Sequence, residues 1–339
     1  MKRVQKYITA NLSALFISIF MPLFFTASII FLIKLATYTA VIELNLWEMT
    51  KLYLFVLPEI LFYTLPISFF IAATLAMFKL SNDNEMVVLF SLGIRPSLII
   101  KALFKPAVTL FFVLSFNFLV LFPHTDVIST NFLLYKKSEA KFNLSASEFG
   151  NSFGDWLLYI GEENEDETFG DVFLFNKKEK EEVLIFAKEA KLINEGGILR
   201  LQLRDGEGYS YSTIKFSQID FEQMYINDVM NVEQREYETP LEYWFSEIRA
   251  KKKKQALITN SLLSFFPLIS LFLVLSIGIV QARHQKSYVY FYLFISVLLF
   301  YGLTLGLQSL LGYALIPILV LSWLFGTYFI YRKTIVNKF

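Results

Sequence analysis

The sequence contains no cysteine and only two histidines, His124 and His284. The first absence removes thiolate zinc sites, iron–sulfur clusters, disulfides and cysteine nucleophiles. The second leaves little imidazole chemistry, and no H-E-x-x-H or G-x-S-x-G motif occurs. No G-x-x-x-x-G-K-[ST] loop is present either, so the chain has no Walker-type ATPase site of its own. No cofactor site can be read. Charge is scarce too: charged residues make up 18% of the 339, against roughly 25% in ordinary soluble domains. Soluble enzymes, nucleic-acid binders, disordered chains and secreted disulfide scaffolds are excluded. The acidic run Glu162–Glu167 lacks the convergent geometry of a calcium site and reads as a solvated loop.

What the sequence has instead is grease. It is 55% hydrophobic, with 37 Phe, 18 Tyr and 4 Trp. Uncharged stretches cover residues 7–33, 60–78, 106–125, 255–282 and 287–331. A membrane helix needs about 20 apolar residues, so the first four stretches hold one span each. The fifth would make roughly 67 Å of helix, about two bilayer cores, and must fold back near Leu310–Tyr313, where Gly312 supplies a turn. Six spans are expected. The first stretch is too long for a cleavable signal core.

Charge is distributed by side. Residues 126–254 carry 25 acidic and 17 basic side chains, a net of −8; the remainder carries 5 acidic and 14 basic, a net of +9. Twelve of those 14 cations fall in one set of loops, which predicts cytoplasmic termini and an external 126–254 segment. The run Lys251–Lys254 goes against this bias locally, as long translocated domains are known to do.

The external segment reads as all-β. Leu199, Leu201 and Leu203 alternate with Arg200, Gln202 and Arg204, and Asp205-Gly206 follows as a turn. Shorter runs containing Phe173, Phe175, Ile214 and Phe216 repeat the pattern. These seven apolar residues are the candidate lining of a sandwich, jelly roll or open barrel. The expected organisation is residues 1–123 with spans one to three, 124–256 as the β domain, and 257–339 with spans four to six.

Two membrane-proximal features stand out. Lys34 ends the first apolar run, where a cation either snorkels to the interface or grips an anionic headgroup. Glu59, between Pro58 and Pro66 in sequence, reads as a helix-end residue. On the other side, Asn82 can cap a short helix, with Glu85 completing a capping box. Gly93 can close it and Pro96 forbids continuation. This helix, about 82–92, bears Met86, Leu89 and Phe90, too apolar for water and too short to span. It either lies among headgroups or docks in a groove of a cytoplasmic partner.

Together these pieces resemble the LptF/LptG (YjgP/YjgQ) permeases of lipopolysaccharide export. The resemblance covers the whole chain. It rests on Arg3–Tyr7, Ile33-Lys34, Pro58-Glu59, Leu65-Pro66-Ile67-Ser68, Asn84-Glu85-Met86-Val87-Val88 through Gly93, Pro267-Leu268, Gln281–Lys286 and Gln308-Ser309. The Pro-Glu and Leu-Pro-x-Ser pieces are more similar to the LptF branch.

The resemblance implies a polytopic α-helical protein of six spans (3+3) with an inserted periplasmic jelly-roll-like β domain, in the bacterial inner membrane. It implies partners: a second LptF/LptG-type permease in a heterodimer, a cytoplasmic LptB-like ATPase dimer, and LptC-like and LptA-like periplasmic proteins. The cargo is lipopolysaccharide, extracted from the outer leaflet. Asn82, Glu85, Met86, Leu89, Phe90 and Gly93 would couple to the ATPase, and Lys34 would face lipid A phosphates. Lys251 and Lys252 belong to a basic cluster denser than the family pattern, which binds anionic sugars or phosphates or, preferably, anchors at headgroups. Two other readings compete: a mechanotransmission permease, and a membrane-anchored sensory or structural β-domain protein. Neither carries lipid.

Overall fold

The computed structural model describes residues 2–39, 44–141, 151–153, 156–163, 168–178, 181–195, 198–212, 215–227, 239–245, 250–280 and 288–336. The chain divides into two compact units. One comprises residues 1–37, 46–128 and 237–339; the other, 38–45 and 129–236.

The first unit is helical. In hydrocarbon every backbone polar group must find its partner within the segment, so long apolar runs become helices. These are α1 (Lys2–Thr39), α2 (Leu46–Asn82), the short α3 (Glu85–Ser91), α4 (Pro96–Phe116) and α5 (Phe122–Lys141), of which residues 38–39 of α1 and 129–141 of α5 belong to the other unit. A π-helical turn at Asn117–Leu121 joins the last two. After the β unit come α6 (Pro240–Phe245), α7 (Ala250–Ile269), α8 (Leu271–Gly278), α9 (Val289–Leu311) and α10 (Leu315–Tyr331). Four stretches, Lys2–Thr37, Leu46–Asn82, Pro96–Leu134 and Val289–Val336, are long and apolar enough to cross a membrane. The α7–α8 pair, bent by 49° at Ser270, qualifies as a fifth.

The last stretch counts twice. Phe300 and Trp323 are 23 positions apart, roughly 34 Å along one straight helix, yet their ring centroids lie 5.0 Å apart. The chain therefore turns back at the 3₁₀ segment Gly312–Ala314, where Gly312 has φ +55°. Among the described residues six passes result, the number read from run lengths.

A file of rings ties the bundle together. Phe70 of α2 meets Phe266 of α7 at 5.1 Å, and Phe266 meets Phe300 of α9 at 4.5 Å. All three phenylalanines are fully buried. The Trp323 indole, next in the file, donates to Ser270 Oγ at 3.0 Å and so meets the chain at the bend in the fourth span. Gly278 lets α8 approach α2, since a Cβ there would sit 2.6 Å from Met77 Cβ. The Ser81 hydroxyl then locks the end of α8, donating to Val280 O and accepting from Val280 N.

The second unit holds a six-stranded antiparallel sheet: β1 (Asn151–Phe153), β2 (Trp156–Glu163), β3 (Thr168–Lys178), β4 (Glu181–Glu195), β5 (Ile198–Ser212) and β6 (Phe216–Asn227). The order is that of a meander, each strand beside its chain neighbour. Leu158, Ile160, Val172, Leu174, Ile185, Ala187, Leu201, Leu203 and Ile226 form its core.

One line interrupts the pairing. The register skips Gly161, Asp171, Lys188, Asp205 and Glu222, one residue on each of five adjacent strands. Asp171 and Asp205 both have positive φ, 50° and 48°. The inward parity of the strands flips across this crease: β3 buries 172 and 174 on one side but 169 on the other, and β5 buries 206 on one side but 201 and 203 on the other. A groove of about 470 Å³ lies on the crease, lined by residues including Lys188, Asp205, Phe221 and Glu222.

Candidate functional site

The short helix between the second and third spans is built by its ends. Helix α2 continues through Asn82, so Asn82 is exposed at its terminus rather than capping the next helix. Asn84 opens α3 with φ +60° and no side-chain capping bond. Glu85 accepts from the Tyr7 hydroxyl at 2.7 Å instead of reaching back to the backbone. The capping box expected at 82–85 is therefore absent. At the other end the expectation holds. Gly93 takes φ +78°, its N–H donates to Phe90 O at 2.9 Å, and the Ile94 N–H donates to Leu89 O at 3.1 Å. This pair of bonds is the Schellman stop. Arg95 is extended ahead of Pro96, which starts α4 as its first helical residue.

Periodicity sorts the side chains of α3. Met86 is 1% exposed and rooted in the bundle core, with Leu89 and Phe90 packed partly against it. Val87, Val88 and Leu92 point outward, Leu92 at 73% exposure. The helix thus presents a branched aliphatic face that the candidate set, chosen for Met86, Leu89 and Phe90, does not contain.

Lys34 lies exposed near the far end of α1. On the same side of the helical unit, α6 is pinned from several directions. The Trp244 indole N–H donates to Leu119 O, within the π turn, at 3.2 Å. The Tyr243 hydroxyl donates to Asp126 Oδ2 at 3.0 Å. Lys251 and Lys252 are exposed, whereas Lys253 is buried with its ammonium 4.1 Å from the Tyr243 ring centroid. Lys254 sits 4.9 Å over Tyr313. Two of the four lysines are therefore held by aromatic faces.

Thr239 and Glu242 cap α6 reciprocally. The Thr239 N–H donates to Glu242 Oε2 at 2.9 Å, and the Glu242 N–H donates to Thr239 Oγ1 at 3.3 Å. Those bonds hold the Glu242 carboxyl below the usual carboxylate range. The T-x-x-E spacing ahead of Tyr243-Trp244 was the available signal for this helix, which the sequence reading missed. No sequence signal marks the Tyr7–Glu85 contact or the π turn.

In the β unit the candidate lining residues part company. Leu201 and Leu203 are fully buried, while Phe173 and Phe216 are exposed, Phe216 at 61%. Phe173, Phe175 and Phe216 share the outer face, because Val172 and Leu174 take the inner one on a period of two. On that outer face Phe173 packs on Phe186 at 4.8 Å. The Leu199 side chain and Ile214 lie outside the described residues.

The family model described as lipopolysaccharide export system permease LptF/LptG matches residues 6–331. No curated protein matches the chain. The model covers both branches, so the LptF lean stays with the sequence resemblance alone. With all six passes and the inserted sheet inside the matched region, the chain belongs to the LptF/LptG family of lipopolysaccharide export permeases.

Proposed function

We propose that this chain is one half of an ATP-driven exporter. It pairs with a second LptF/LptG-type permease in the bacterial inner membrane, both termini cytoplasmic and the β unit periplasmic. An LptB-like ATPase dimer seats on α3, and the transporter draws lipopolysaccharide from the outer leaflet. LptC- and LptA-like proteins receive it from the β domain. The family match supports the cargo, and the chain itself holds no Walker loop to supply the work.

The observation that carries the docking reading is α3 itself. It is rooted by Met86, stopped by Gly93, and bares Val87, Val88 and Leu92. Branched side chains on a fixed helix suit a groove, because little rotamer freedom is lost on binding. Glu85 meets a cation of the ATPase at the start of the helix. Lys34 meets lipid A phosphates as a point charge, and Lys251 and Lys252 add headgroup anchoring.

Purification from native membranes, with mass spectrometry of copurifying proteins and lipids, tests this reading. An ATPase, a second permease and bound lipopolysaccharide are expected together. An ATPase without lipopolysaccharide favours mechanotransmission instead, and a lone chain removes the proposal. Glu85→Arg should release the ATPase while the β domain stays folded. Lys34→Glu should lower photocrosslinking of lipopolysaccharide well before it affects assembly; equal crosslinking in both would discard the phosphate role.

A further inference from the structure

Helix α1 is the barest of the long helices. Among its described side chains only Ile8, Leu12, Ser28 and Leu35 are buried, and none between residues 13 and 27 is. Among the described residues its hydrogen bonds and ring contacts to other helices fall at two ends. Towards its C-terminus the Ser28 and Tyr53 hydroxyls share a hydrogen bond of 3.0 Å, and the Phe31 ring stands 6.3 Å from Tyr53. Near its start the Tyr7 hydroxyl donates to Glu85 Oε2 at 2.7 Å, joining residues 78 positions apart.

That second attachment lands on the first residue of α3. Asn84, in the left-handed region, lends α3 no side-chain cap, so local capping does not orient the Glu85 carboxylate. Tyr7 does. A phenol is a neutral donor and leaves the negative charge in place. A carboxylate also has lone pairs on both oxygens, so Glu85 can hold Tyr7 on Oε2 and still accept a cation on Oε1.

We infer that Tyr7 is a positioning residue that ties α1 to the ATPase-docking helix through Glu85, so that motion imposed on α3 is carried into α1. The inference rests on the docking reading above. Beside Tyr7, Ile8 and Leu12 are buried in the same core cluster as Met86 of α3, so the tie joins two elements that already share one packed block, while no side chain between residues 13 and 27 is fully buried.

The absence of native cysteine makes a direct test simple. Nitroxides at Ser13→Cys on α1 and Ser91→Cys on α3 report the separation of the two helices by pulsed electron resonance. The measurement is made on the full chain, alone and in its purified complex. Tyr7→Phe removes one oxygen and keeps the ring. It should broaden the distance distribution in both samples, while ATPase copurification stays within about twofold, as for a surface substitution. Lipid released per ATP hydrolysed should fall about twofold to tenfold, the size of the net contribution of one typical hydrogen bond.

An unchanged distribution overturns the tie. A broadened distribution with unchanged lipid per ATP overturns the transmission role. Loss of the ATPase in Tyr7→Phe alone makes Tyr7 a docking contact and overturns the inference while leaving the proposed function standing. Failure of the unsubstituted chain to hold an ATPase refutes the docking reading, and the transmission role with it.

Discussion

Glu242 and Thr239 exchange hydrogen bonds at the start of α6, and the carboxyl is held below its usual range by them. A carboxylate depressed in the folded state contributes stability that is complete above its unfolded value of about 4.3 and is lost as pH falls through the lower folded value. Helix α6 should therefore fray in that acid window. Hydrogen exchange over α6, corrected for intrinsic rates and followed down to about pH 3, should show a step that Glu242→Gln lacks; matching profiles would mean the box does not govern the helix. The same box was expected at Asn82 and Glu85, where the residue types are as favourable. It fails there because α2 runs on through Asn82 and the Tyr7 hydroxyl occupies Glu85. Spacing identifies residues able to cap, but which helix keeps the turn depends on partners distant in sequence.

Helix α3 shows which parts of an element are local. Its stop was legible, since Gly93 and Pro96 act through backbone conformation alone. Its facing was not, because which residues turn inward depends on the bundle beneath. Gly93 separates space from conformation: a Cβ there meets nothing within 4 Å, yet φ is +78°. Gly93→Asn should be tolerated, whereas Gly93→Val should cost about 1–2 kcal/mol of backbone strain. Thermal unfolding would rank them; equal loss of stability in both would show that bulk, not φ, matters. Strands behave similarly. Alternation around Leu201 and Leu203 was readable as a buried face, but Phe173, Phe175 and Phe216 were grouped with them only because hydrophobicity carries no sign for a face. The parity flip at Asp171 and Asp205 cannot be seen in a pattern read by twos.

For the molecule as a whole, length arithmetic carried far. Six passes follow from run lengths against a roughly 30 Å hydrocarbon core, and the final fold-back follows from a run too long to span once. The file of Phe70, Phe266, Phe300 and Trp323 did not show in the sequence, where 37 phenylalanines look alike. Orientation is open to direct measurement. In intact spheroplasts a membrane-impermeant maleimide should label Asp220→Cys and spare Lys79→Cys, and the opposite result would invert the topology. The crease in the β unit has a mechanical meaning. Pairing lapses along one line on five adjacent strands, so the sheet is two plates joined by a score mark. A load applied to one plate reaches the other as bending about that line, and the strands need not slide past each other to transmit it.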